Sequence, residues 1–271
     1  MKITCFALII IHLSTSLYAQ TGFNNTGSRS NAMGDASVTI SDVFSVMNNQ
    51  GALGFVDQSA VGLSAQNMFG LEGLHVFNFA AALTTNSGNF GVSVQYFGDA
   101  NYHQTKAGIA YGRKLSETFG AGLQLDYIST NVNEVDAASA ISFEAGITYS
   151  PYKTLEIGAR VFNPIRARIG EAFPDEEIPV LFTIGMRYIP SDKVFVAIEG
   201  EQLVDADLRI KSGIEYHIIE ALYMRCGYLS NPSMFTCGAG LALQGLQFDF
   251  AAQFHQQLGM TPGIGILYAL Q

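Results

Sequence analysis

The chain of 271 residues is 48% apolar and only 14% charged, with 28 glycines and a net charge of −9. That charge density is low for a soluble domain, yet beyond the first twenty positions no run of 18 apolar residues offers a membrane helix. The acidic balance lacks the basic footprint that nucleic-acid binding requires.

The first nineteen residues read as a secretory leader. Lys2 gives a minimal positive start, residues 3–11 an apolar run, and Ala19 a small residue before the cut. The mature chain then begins at Gln20 and carries 13 basic against 23 acidic residues. Cys5 falls inside the apolar run, away from the cleavage site, so it is no lipid-attachment cysteine.

Residues 20–59 do not alternate. They open polar and rich in Gly and Asn, then reach residues 41–47, where a short helix is expected. Ser41 or Asp42 caps it, and Val43, Phe44, Val46 and Met47 form its apolar patch. A segment too short to fold alone, ahead of a barrel, packs into a lumen as a plug or trails as a solvated tail. Compactness and periodicity favour the plug, with Ser41, Asp42, Phe44, Asn48 and Asn49 as its key residues.

From residue 60 onward one design repeats: about ten residues alternating apolar with small or polar, then a polar turn. Strand side chains alternate faces with period two. Leu246, Phe248, Phe250, Ala252 and Phe254 share one face of such a segment, against Gln247, Asp249, Ala251, Gln253 and His255. Fourteen segments are predicted, near 61–69, 74–84, 89–97, 104–113, 118–128, 138–149, 154–162, 179–189, 193–201, 207–217, 221–229, 234–243, 246–255 and 262–270. The polar faces carry Lys106, Asp126, Glu144, Arg160, Arg187, Glu199, Lys211, Glu215, Arg225 and Asp249. The apolar faces carry tyrosines near strand ends: Tyr96, Tyr111, Tyr127, Tyr149, Tyr188, Tyr216, Tyr228 and Tyr268. A soluble sandwich also alternates. Charges confined to one face and aromatic girdles on the other instead predict an all-β transmembrane antiparallel barrel, with lipid outside and polar contacts inside. The odd-numbered connections, including 129–137, 163–178, 202–206 and 256–261, are longer than the even ones. That places them outside the cell and both barrel termini in the periplasm.

The inward charges admit a polar channel or a mutually neutralising network that seals the lumen. Mixed signs favour the network, as does a strand count below that of the 16–18-stranded porins. The histidines are scattered and no Gly-x-Ser-x-Gly elbow occurs, so no metal, cofactor or catalytic set is expected. The glycine pairs Gly120/Gly122 and Gly238/Gly240 lie within strands and read as small residues relieving a crowded interior rather than a phosphate loop. Cys226 and Cys237 stand equidistant from a turn at 230–233 on adjacent strands. They are either a cross-strand disulfide or two small apolar thiols. Loop 163–178, with Arg166, Arg168, Glu171, Asp175, Glu176 and Glu177, is the foremost external contact surface.

The stretch GSRSNAMGDASVTISDVFSVMNNQGAL over residues 27–53 resembles the N-terminal signature of the PorV/PorQ family, within the wider FadL-like group of outer-membrane proteins. AYGRKL at 110–115 and NPIRA at 163–167 resemble recurring segments of the same family. The resemblance implies a 14-stranded barrel plugged by its N-terminus in a Bacteroidota-type outer membrane. It implies a non-enzymatic accessory of type IX-like protein secretion or surface assembly, with outer-membrane lipid and other secretion proteins as partners. The more distant FadL proteins imply the alternative: transport of long-chain fatty acids or other small hydrophobic ligands. Asn49-Gln-Gly51 stands where that group has Asn-Pro-Ala, which brings the chain nearer PorQ than FadL.

Overall fold

The computed structural model describes residues 26–133, 137–169, 177–204 and 206–270. The expected leader, its cut and the loop residues Glu171, Asp175 and Glu176 lie outside the described residues. Three short helices come first: α1 (Ser28–Ala32), α2 (Ser45–Asn48) and α3 (Gln50–Leu53). Fourteen strands follow: β1 (Ala60–Asn67), β2 (His75–Thr85), β3 (Gly88–Gly98), β4 (Tyr102–Lys114), β5 (Phe119–Val132), β6 (Ala138–Tyr152) and β7 (Leu155–Phe162). The second half comprises β8 (Leu181–Ser191), β9 (Val194–Leu203), β10 (Arg209–Ile219), β11 (Leu222–Leu229), β12 (Met234–Leu243), β13 (Leu246–His255) and β14 (Gly259–Ala269). Each strand pairs antiparallel with its sequence neighbours, and β1 closes on β14 with Ala60 opposite Ala269 and Gln66 opposite Gly263. Closure removes the sheet edges that lipid cannot hydrogen-bond.

Alternation fixes which face is which. Along β13, Phe248, Phe250 and Phe254 face outward while Asp249, Ala251 and Gln253 are buried. Tyr111, Tyr149, Tyr188, Tyr216 and Tyr268 are outward, and all sit toward the even-numbered turns, forming one aromatic girdle. Those even turns are tight. Gln244 and Gly245 both take positive φ, 49° and 85°, as a two-residue hairpin loop demands. Among the described residues no helix is long and apolar enough to cross a membrane.

The wall is uneven. β4, β5 and β6 run 13, 14 and 15 residues, beyond the roughly 9–11 that a tilted span needs. β7 has only 8 and ends at Phe162, opposite Glu144, so β6 stands above it on the odd-loop side. The β7–β8 connection folds into that notch. Asn163, at φ 51°, donates from Nδ2 to Ile178 O at 2.6 Å and accepts from Ser142 Oγ at 2.8 Å. Ile169 and Ile178 then pack with Ile128, Phe162 and Leu181 in a buried cluster at the mouth. The flanks of this loop, expected as an external surface, therefore close the barrel's mouth, with Arg168 and Glu177 pairing above them.

Candidate functional site: the plugged lumen

The lumen is filled by residues 26–56. Met33, Val46, Ala52 and Leu53 have no solvent exposure. The single helix expected over 41–47 is corrected here. Asp42 Oδ1 accepts from Phe44 N at 2.9 Å, a local turn that delays the helix to Ser45, and Ser41 makes no cap. Asn49 is extended at φ −168° and breaks the helix into α2 and α3. Its side chain caps α3 by accepting from Gly51 N at 2.9 Å. Asn49 Nδ2 also donates to Val38 O at 2.6 Å and to Thr148 Oγ1 at 3.1 Å, tying the plug to β6. Asn48 pairs with Thr26, and Phe44 lies buried against Gly27 and Gly62.

Three kinds of contact hold this segment. On the β3–β7 side glycines bare the wall where the plug backbone passes. A Cβ at Gly112 or Gly122 would collide with Gln50 O, one at Gly146 with Asn49, and one at Gly158 with Val38 O. Backbone therefore lies on backbone. Below β1–β4, Val43, Phe44, Val46, Leu53 and Val56 pack against Ala60, Ala80, Ala82 and Ala110.

Opposite, charges do the holding. Glu215 is the hub: Arg29 forks onto both of its oxygens at 2.8 Å, and Arg225 Nε donates to it at 2.6 Å. Arg225 reaches on to Asp249, and Arg29 to Asp42 at 3.5 Å. A second group joins Lys211 to Glu199 at 3.1 Å and to Glu201, which also receives Arg209 at 2.9 Å. Glu199 Oε2 accepts the backbone N–H groups of Ser37 and Val38, both at 2.9 Å. A third group lies on the glycine side itself, where Lys106 of β4 and Arg160 of β7 meet Glu144 of β6 at 2.8 and 3.2 Å. Gln50 Nε2 completes it at 3.1 Å, and Arg160 donates to Met47 O at 2.8 Å. Asp126 accepts from Gln124 Nε2 at 2.6 Å beside them. Each ion is met by opposite charge or donors, the condition under which buried charge is tolerated.

All ten charged residues singled out from the sequence thus point inward, but nine of them fall into three groups rather than one network. Arg187 stands apart toward the even-turn rim, paired with Glu156 and stacked 5.1 Å from the Phe195 ring centre. Sequence reasoning missed Arg29, Asp35, Glu156, Glu201 and Arg209. Arg29 and Asp35 lie in the plug, where no alternation marks a face, while Glu156, Glu201 and Arg209 sit near strand ends. On the open loop after β3, Asp99 accepts the backbone N–H groups of Asn101 and Tyr102, which lowers its pKa. Among the described residues no group of His, Cys, Asp and Glu is placed to hold a metal ion.

Outside, an apolar cleft of about 540 Å³ runs over β13, β14, β1, β2 and β3, lined by Leu63, Phe77, Phe79, Phe250 and Ile264. A second, of about 620 Å³, lies over β6–β9.

A closed 14-stranded barrel with an apolar exterior and an N-terminal plug defines the class: the chain has the fold of the FadL-like outer-membrane barrels. It is similar to the CymD monoaromatic hydrocarbon channel at 13% identity, with 92% of this chain and 99% of that one covered and a TM-score of 0.71. The P. putida toluene transporter TodX gives 12% identity, the same coverages and a TM-score of 0.70. A Pseudomonas aeruginosa FadL homologue gives 13% identity, 91% and 98% coverage and a TM-score of 0.67. No family model matches the sequence, and no curated protein does.

Proposed function

We propose that this chain is a non-enzymatic outer-membrane barrel that passes small hydrophobic molecules, the reading that the sequence offered second. In this reading residues 1–19 are a cleaved leader, 20–59 the plug and 60–271 the barrel, with both barrel termini in the periplasm. One observation carries it: toward its even-numbered turns the wall sector β1–β3 is apolar on both faces, Asn89 apart, while Ser64, Gln66, Asn78, Ser93 and Gln95 face inward nearer the odd loops. Ala80, Ala82, Gly62 and Gly91 meet the plug's apolar patch inside, and the cleft of Leu63, Phe77 and Phe79 lies directly outside. Elsewhere the lumen holds paired charge and plug backbone packed on glycines. A solute that uses this barrel moves along apolar surface, and the hydrocarbon channels of the same fold support that choice. The test is uptake of a labelled monoaromatic hydrocarbon or fatty acid by intact cells with a lipopolysaccharide outer leaflet, the barrier such molecules cross poorly. Expression of the protein should raise the initial rate several-fold over an unrelated barrel, with no gain for a sugar of similar size. Equal rates overturn the proposal.

A second reading, an accessory of type IX-like secretion or surface assembly in a Bacteroidota-type outer membrane, is favoured by the contacts that pin the plug on three sides: Arg29 on Glu215, the Ser37 and Val38 N–H groups on Glu199, and Met47 O and Gln50 on Arg160 and Glu144. Such a barrel serves as a rigid platform. Stoichiometric secretion proteins co-purifying from gently solubilised native membranes would support it. A lone barrel carrying a defined lipid would sink it.

A further inference from the structure

We propose that Cys226 and Cys237 form a disulfide that staples β11 to β12 on the barrel's outer face. The two residues are direct partners in the strand register, both are exposed, and both are free thiols in the structure. The ladder itself supplies the geometry. Their register continues to Ala221 opposite Ala242, where Ala242 N donates to Ala221 O at 2.8 Å. Hydrogen-bonded and non-hydrogen-bonded pairs alternate along an antiparallel ladder. Counting from Ala221, the cysteines fall on a non-hydrogen-bonded pair, whose Cα atoms stand about 4.5 Å apart with side chains close together. That lies within the span of roughly 4.4–6.8 Å that disulfides bridge, so no backbone movement is required.

The inner faces of the same two strands grip the plug. Arg225 holds Glu215 and Asp249, and Thr236 Oγ1 accepts from Gly34 N while donating to Ala32 O, both at 2.9 Å. The bridge therefore fixes from outside the hairpin that holds α1 from inside. In the oxidising periplasm the reaction is thiol–disulfide exchange with a protein disulfide. One sulfur, as thiolate, attacks the oxidant's disulfide; the second displaces the oxidant from the mixed disulfide. One S–S bond forms in the barrel, and the oxidant leaves as two thiols carrying the two electrons and two protons.

The test uses the full chain in its native outer membrane, quenched in acid, denatured and alkylated with iodoacetamide before or after reduction. Chymotrypsin cuts after Tyr228 and Phe235, which separate the two cysteines. We expect their peptides to travel as one species, two hydrogens lighter than their sum, and to take up alkyl groups only after reduction. In Cys226→Ser, the Cys237 thiol should alkylate without reduction. Alkylation of both cysteines in the unreduced native protein overturns the proposal. So does a Cys237 that stays blocked in Cys226→Ser, since its partner is then elsewhere.

Discussion

The two halves of the plug's seat solve one problem in opposite ways. On the β3–β7 side the wall gives up side chains where the plug backbone passes, and Gly112, Gly122, Gly146 and Gly158 let α3 and its neighbours rest on bare backbone, with Glu144 and Arg160 beside them. On the β9–β13 side the wall keeps long charged side chains, and Glu199, Lys211, Glu215, Arg225 and Asp249 reach inward to a plug that answers with Arg29 and backbone N–H groups. Shape alone excludes wrong fits on one side without specifying depth or rotation. Paired charge specifies position, at the cost of stranding an ion whenever a partner is lost. The contrast teaches that the glycine face sets how closely the plug approaches, and the charged face where it stops.

Removing the hub should therefore hurt most. Glu215→Ala leaves Arg29 with only Asp42 and Arg225 with only Asp249, and the under-compensated buried charge should cost about 3–5 kcal/mol. The check is the urea midpoint in detergent micelles, read by the gel mobility of folded against unfolded barrel. A loss below about 1 kcal/mol would mean that the charges do not hold the plug. Gly122→Ala tests the opposite face. Its Cβ meets Gln50 O, and the displacement of α3 should cost about 1–3 kcal/mol in the same assay; a neutral outcome would show that this face yields. Arg187→Ala removes a rim pair with Glu156 that meets the plug only through the Phe195 ring, and the loss should stay below about 1 kcal/mol. Smallest of all is the coupling between Glu215→Ala and Gly122→Ala. The two sites share no partner, so their effects should add to within about 0.5 kcal/mol. A larger coupling would mean that the plug moves as one rigid piece.

Much of the barrel was legible because period-two alternation is a long signal. All fourteen strands fall where alternation placed them, Asp249 and Phe250 fall on opposite faces, and Cys226 meets Cys237 as the turn predicted. Strand ends were less clear: β4 begins at Tyr102 and β5 runs to Val132, where polar residues read as loop. The plug was legible as a segment but not in detail. Helices of four or five residues complete barely one turn, so they carry no periodicity to read. Arg29, set among serines and asparagines, looks like a solvated cation until the barrel closes around it. The PorV/PorQ likeness pointed to secretion first; the solved barrels, at 12–13% identity, share the fold.

The path of α1 has a consequence for how such a barrel is made. The segment emerges from the ribosome before any strand, yet α1 packs against β11, β12, β13 and β14, the last strands to arrive. Its seat does not exist until the C-terminal hairpins are in place and Gln66 of β1 stands beside them to receive Asn31. A chain that stalls before β11 has nowhere to put its beginning. Seating of α1 thus reports completion: a segment made early finds its place only once the C-terminal hairpins stand.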